Sequence, residues 1–103
     1  MMEIEWLGNS LDTVRSYAAS VRQAIGSELR LLQTGSQPVH ARPLKTVGRG
    51  VWELKISERD GQFRVVYVAK RRSRIYILHA FQKKTQRTPQ KDIDLARARF
   101  KEI

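Results

Sequence analysis

The sequence predicts an α+β fold in a single domain spanning residues 1–103. Three observations carry this. Apolar residues from Leu11 to Leu32 recur at steps of three and four, three consecutive β-type runs follow between Val51 and Phe81, and a second helical pattern closes the chain. A three-strand meander with helices outside it points to an antiparallel sheet of about four strands covered by helices on one face.

Each element has its own local reason. Ile4 and Trp6 alternate with Glu3 and Glu5, as in a short opening strand, and Gly8-Asn9 ends it. Ser10 is placed to cap a helix whose inner stripe is Leu11, Val14, Ala18, Val21, Ile25, Leu29 and Leu32. That stripe fits one bent helix or a helix pair joined near Tyr17–Ser20. Residues 35–50, with Gly35, Pro38, Pro43, Gly48 and Gly50, read as a long loop. Val51–Ser57 alternates Trp52, Leu54 and Ile56 with Glu53, Lys55 and Ser57, so one face is apolar and the other charged. Glu58-Arg59-Asp60-Gly61 carries an Asp-Gly hairpin signal. Gln62–Lys70 is apolar on both faces, as a central strand should be; Lys70–Ser73 connects it to a last strand, Arg74–Phe81. Thr88 then reads as an N-cap and Pro89 as the first residue of a helix with Ile93, Ala96, Phe100 and Ile103 inside.

Composition narrows the function. Lys plus Arg total 20 against 10 acids, and residues 51–103 hold 14 of those bases and six of the acids. Such an uneven field suits a polyanion, nucleic acid above all. With no cysteine and two isolated histidines, a dedicated metal site is not expected, nor any cofactor. The apolar runs are far shorter than the ~20 residues that span a bilayer, and the acidic start is unlike a signal peptide, so a cytoplasmic protein with no membrane partner is expected.

Cations fall on or beside the strands at Lys55, Arg59, Arg64, Lys83, Lys84 and Arg87. A tight hairpin could set Lys55 beside Arg64, which is unfavourable unless an anion sits between them. His79 shares strand parity with Ile75, Ile77 and Phe81, so a hydrogen-bonded core histidine is expected; Trp52 and Phe100 are read as core, and His40 has no recognisable partner.

Four segments together resemble the phage-derived, Gp49-like branch of the RelE/HigB toxin superfamily: Lys45–Ile56, Phe63–Val68, Leu78–Pro89 and Ile93–Phe100. The most specific is His79-Ala-Phe-Gln-Lys-Lys-Thr-Gln-Arg-Thr-Pro89. The resemblance implies a RelE-like fold and the toxin of a type II toxin–antitoxin system. It further implies an endoribonuclease that cuts mRNA on the ribosome without a metal, through attack of the ribose 2′-hydroxyl, and that a cognate antitoxin, expected to be a helix-turn-helix protein, silences. By position it makes Lys55 the general base and Arg64 the phosphate clamp, with Lys83 or Lys84 stabilising the leaving side or donating its proton. Crowding among cations is the setting that suits a lysine to proton transfer. Arg59, Arg87 and Glu53 complete the expected RNA-binding set. Glu53 is a departure, since some relatives carry a second lysine there; it either takes protons or marks a different division of labour. Two other functions fit the same sequence: a ParE-like DNA gyrase inhibitor and a non-catalytic RNA-binding module.

Overall fold

A computed structural model describes residues 1–71 and 73–103, with Lys70 and Arg71 described by their backbone alone. In chain order the elements are β1 (Glu3–Trp6), α1 (Ser10–Arg15), α2 (Ala19–Gln33), β2 (Ala41–Pro43), β3 (Val51–Glu58), β4 (Gly61–Arg71), β5 (Arg74–Lys83) and α3 (Gln90–Phe100). The α+β architecture is as expected, and the helix pair is the form the N-terminal stripe takes.

The sheet has five strands in the order β1-β5-β4-β3-β2. The fifth is β2, three residues inside the segment read as a loop. Its Gly and Pro content hid a short edge strand, where a proline is tolerated because one side makes no ladder. β1 pairs parallel with β5, Glu3 opposite Arg74 through Trp6 opposite Ile77, while the other pairings are antiparallel. β4 is central, and its Val65, Val66, Tyr67 and Val68 are all buried. The expected connection at Lys70–Ser73 is shorter, because β4 extends to Arg71 and β5 starts at Arg74; Arg72 lies outside the described residues.

The helices do not share one face. One apolar cluster joins Val14, Val21, Ile25, Leu29 and Leu32 of α1 and α2 to Leu54, Ile56, Phe63, Val65, Tyr67, Ile75 and Ile77. A second joins Leu44, Val47, Val51, Val66, Val68, Leu78 and Phe81 to Ala96 of α3, with Ile93, Phe100 and Ile103 packed against it. Strands apolar on both sides need cover on both sides, and α3 supplies the second cover. It leaves the far end of that face, toward the β3–β4 hairpin, uncovered.

Caps also differ in detail. Ser10 lies inside α1, buried, its hydroxyl donating to the Leu7 carbonyl at 2.7 Å, with Asn9 at the cap position. Pro89 rather than Thr88 occupies the cap position of α3. Thr88 has a different partner, described below.

Candidate active site

The β3–β4 hairpin closes through Arg59-Asp60, and Gly61, with φ +134°, takes a backbone conformation that side chains disfavour. This turn fixes the register, and the register sets Lys55 opposite Arg64. Across the next ladder Arg64 faces Phe81 and Gln62 faces Lys83. Paired and diagonal residues of neighbouring strands share a face, so Lys55, Arg64 and Lys83 stand together on the uncovered end of the sheet. A groove of ≈ 480 Å³ opens there, lined by Gln62, Arg64, Lys83, Lys84, Thr85 and Gln86.

Under this cationic surface lies Glu53, 0% exposed. Its Oε1 accepts a hydrogen bond from Arg42 Nε at 2.9 Å, and its Oε2 accepts one from the Thr88 hydroxyl at 3.1 Å. Arg64 Nε is 3.8 Å from the same Oε1, an ion-pair separation too long for a hydrogen bond. Arg64 Nη1 donates to the Phe63 carbonyl at 2.9 Å, while its Nε is buried without a hydrogen-bond partner. Arg64 lines this groove although only 7% of the residue is exposed, and a guanidinium carries five donors in a fixed fork suited to a phosphate. Burial pushes its pKa below the ordinary arginine value, with Glu53 opposing and Arg42 adding to the depression. The Lys83 ammonium also titrates below the ordinary lysine value. Loss of water contact is the first cause; Glu53 opposes it, and Arg64, Arg42 and Lys55 reinforce it.

Of the residues singled out from sequence, the structure unites Lys55, Arg64 and Lys83, with Lys84 on the groove wall. Arg59 is at the hairpin tip, and Arg87 is exposed in the turn after β5, its carbonyl accepting from the Thr85 hydroxyl at 2.7 Å. Glu53 is not an RNA-facing residue: it is enclosed, and both oxygens are engaged. Sequence reasoning missed Arg42, which reaches the cluster because β2 pairs with β3 and sets Arg42 opposite Glu53. The signal available was an arginine directly before Pro43, indistinguishable from a loop cation.

The family model described as Phage derived protein Gp49-like (DUF891) matches residues 12–101. The chain belongs to this family. No curated protein sequence matches it. Among solved structures, this Gp49-like protein is similar to a chain of the intact E. coli RelBE toxin–antitoxin complex, at 15% identity over 82% of this chain and 100% of that one, with a TM-score of 0.61. An arginine-to-alanine double mutant of the E. coli toxin RelE in the free state aligns over 99% of this chain and 97% of that one, at 12% identity and a TM-score of 0.64. The isolated E. coli RelE toxin gives 13% identity, 84% and 89% coverage, and 0.59. At these identities the likeness is one of fold, and the fold of the Gp49-like chain is that of RelE.

His79 of the Gp49-like chain is the hydrogen-bonded core histidine expected, for a different reason. The β4–β5 register shifts between Val66 and Tyr67, so Val66 faces His79 while Tyr67 faces Ile77. The extra residue, Leu78, is a bulge, and it turns His79 away from the face of Ile75 and Ile77 toward α3. There His79 Nε2 lies 2.7 Å from Asp92 Oδ1, and Nδ1 lies 3.3 Å from Arg99 Nη1. Arginine only donates, so Nδ1 is the acceptor and Nε2–H donates to Asp92. Arg99 continues to the Leu78 carbonyl and to Asn9 Oδ1, lacing α3 to β5 and the start of α1. Trp52 is half-buried against the first cluster, and Phe100 packs on the second, as expected of core aromatics. His40 is exposed; its carbonyl accepts from the Lys55 N–H at 2.8 Å and so extends the edge ladder.

Proposed function

We propose that this Gp49-like protein, acting as one domain, is the toxin of a type II toxin–antitoxin pair and a ribosome-dependent mRNA endoribonuclease. The supporting observation is the partly unsatisfied, buried Arg64 guanidinium flanked by Lys55 and Lys83 at the floor of a cationic groove. In the proposed reaction Lys55, in its neutral form, takes the proton of a ribose 2′-hydroxyl. The freed oxygen attacks the adjacent phosphorus, the bond to the 5′-oxygen breaks, and Lys83 returns a proton to that leaving oxygen. The products are a 2′,3′-cyclic phosphate and a 5′-hydroxyl. Arg64 holds the phosphate oxygens as charge gathers on them, where fixed donors contribute most. A Lys83 that titrates below the ordinary lysine value parts with its proton more readily, which suits the acid role.

The reading also names partners: mRNA on the ribosome, and an antitoxin, since one similar fold is described in an intact toxin–antitoxin complex. Purified protein added to programmed ribosomes should cut the message within codons, and message alone should stay intact. Arg64→Ala should lower the cleavage rate by about 10²–10³-fold with the fold retained. Cuts that need no ribosome would reject ribosome dependence. Inhibition of gyrase supercoiling, or RNA binding with no cleavage under any condition, would replace the reading altogether.

A further inference from the structure

An acid fully enclosed beneath a cationic surface needs a reason. Glu53 sits between Arg42 of the edge strand and Arg64 of the central strand, and a single oxygen, Oε1, serves both guanidinium groups. Two arginines this close repel each other unless an anion lies between them, and a buried carboxylate is tolerated only when paired and hydrogen-bonded. The carboxylate therefore offsets the repulsion between the two guanidinium groups, by a hydrogen bond to Arg42 and by charge alone to Arg64. The arrangement also excludes the two roles a carboxylate could otherwise take here. With 0% exposure Glu53 cannot touch RNA, and with Oε1 on Arg42 and Oε2 on Thr88 it has no oxygen directed to a 2′-hydroxyl.

We infer that Glu53 is the positioning residue of the site: it holds Arg42 and Arg64 side by side as a two-arginine cradle for RNA phosphate, and makes Arg42 a further substrate-binding residue. Arg42 spends its Nε on Glu53 and keeps a side chain 45% exposed, so its terminal nitrogens remain accessible to a phosphate oxygen. The same carboxylate also fixes the far wall of the groove. Thr88 directly precedes the cap of α3, and its bond to Oε2 pins the Lys84–Arg87 turn onto the sheet. One buried anion thus sets β2, β4 and the β5–α3 connection relative to one another.

This inference rests on the endoribonuclease reading for its kinetic test, so a second measurement is independent of activity. Glu53→Gln keeps the side chain's size and removes its charge. On programmed ribosomes it should lower kcat at least tenfold, whereas Arg42→Ala should raise KM severalfold with kcat nearly unchanged. In ¹⁵N spectra of the wild type, the Arg42 Nε–H should be protected from exchange, and a short 2′-deoxy oligonucleotide should perturb Arg42 and Arg64 together. In Glu53→Gln that protection should disappear and the joint perturbation should be lost, with backbone signals otherwise retained. An unprotected Arg42 in the wild type, or unaltered arginine signals in the variant, overturns the inference whatever the activity. If the arginine signals behave as stated and the wild type cuts no RNA, the endoribonuclease reading fails and the cradle stands as an anion site. If the wild type cuts RNA and Glu53→Gln cuts it equally fast, the positioning role is refuted.

Discussion

The bonds around His79 give the native state a defined response to acid. Burial is the first cause holding its pKa below the ordinary value; the bond to Asp92 and that carboxylate's charge oppose the shift, and Arg99 adds to it. Protonation would place an Nδ1–H against the Arg99 guanidinium, two donors facing each other. Above about pH 6.5, the unfolded value, neither state carries the proton. As pH falls below that toward the folded value, the unfolded chain binds a proton that the native chain refuses, so stability declines. Urea midpoints should therefore drop between pH 7.5 and pH 5, and drop less in His79→Gln; equal declines in the two proteins would reject the assignment. At this scale the sequence was legible where a neighbour relation followed from a hairpin, as for Lys55 and Arg64. It named Glu53 but set it facing RNA, and it missed Arg42, because their pairing depends on an edge strand that composition disguised as loop.

Elements were legible where periodicity dominates and opaque where a single residue changes the count. The helical stripe, the hairpin and the central strand could be read from spacing. The parity of His79 could not, because Leu78 inserts one residue and reverses every side chain beyond it. Without that bulge, Phe81 and Lys83 would point to the α1–α2 side, away from Arg64. The seam between elements offers a sharper test at Gly8, where β1 passes into α1. Its φ is +55°, and a Cβ there would lie 2.4 Å from the Arg99 guanidinium carbon. Gly8→Ala should cost about 1–2 kcal/mol from backbone conformation, and displaced Arg99 should also lose its hold on Asn9. Thermal or urea unfolding measures the first. Faster hydrogen exchange along α3, with β3 and β4 unaffected, reports the second.

For the molecule as a whole, the net charge of +10 makes long-range attraction to polyanions a general property, and the cationic groove is a local one. Arg59 and Arg87 belong to the general field. Substituting either with alanine should weaken RNA binding evenly across sequences and reduce the slope of log K against log salt by about one contact's worth. Fluorescence anisotropy at several salt concentrations decides this, and an unchanged slope removes that arginine from the interface. No helix among the described residues is long and apolar enough to cross a membrane.

The parallel pairing of β1 with β5 carries one more consequence, for the order in which the chain can fold. Residues 3–6 find their partners only at residues 74–77, so during synthesis the first strand must wait while most of the chain is made. Meanwhile β5 also carries Lys83, and the Arg64 strand needs β5 beside it before the groove exists. A contact of such sequence separation closes late and slows folding. The strands that form the groove are consecutive hairpins and do not wait for β1, so refolding from urea should restore β1 protection no earlier than that of β3 and β4.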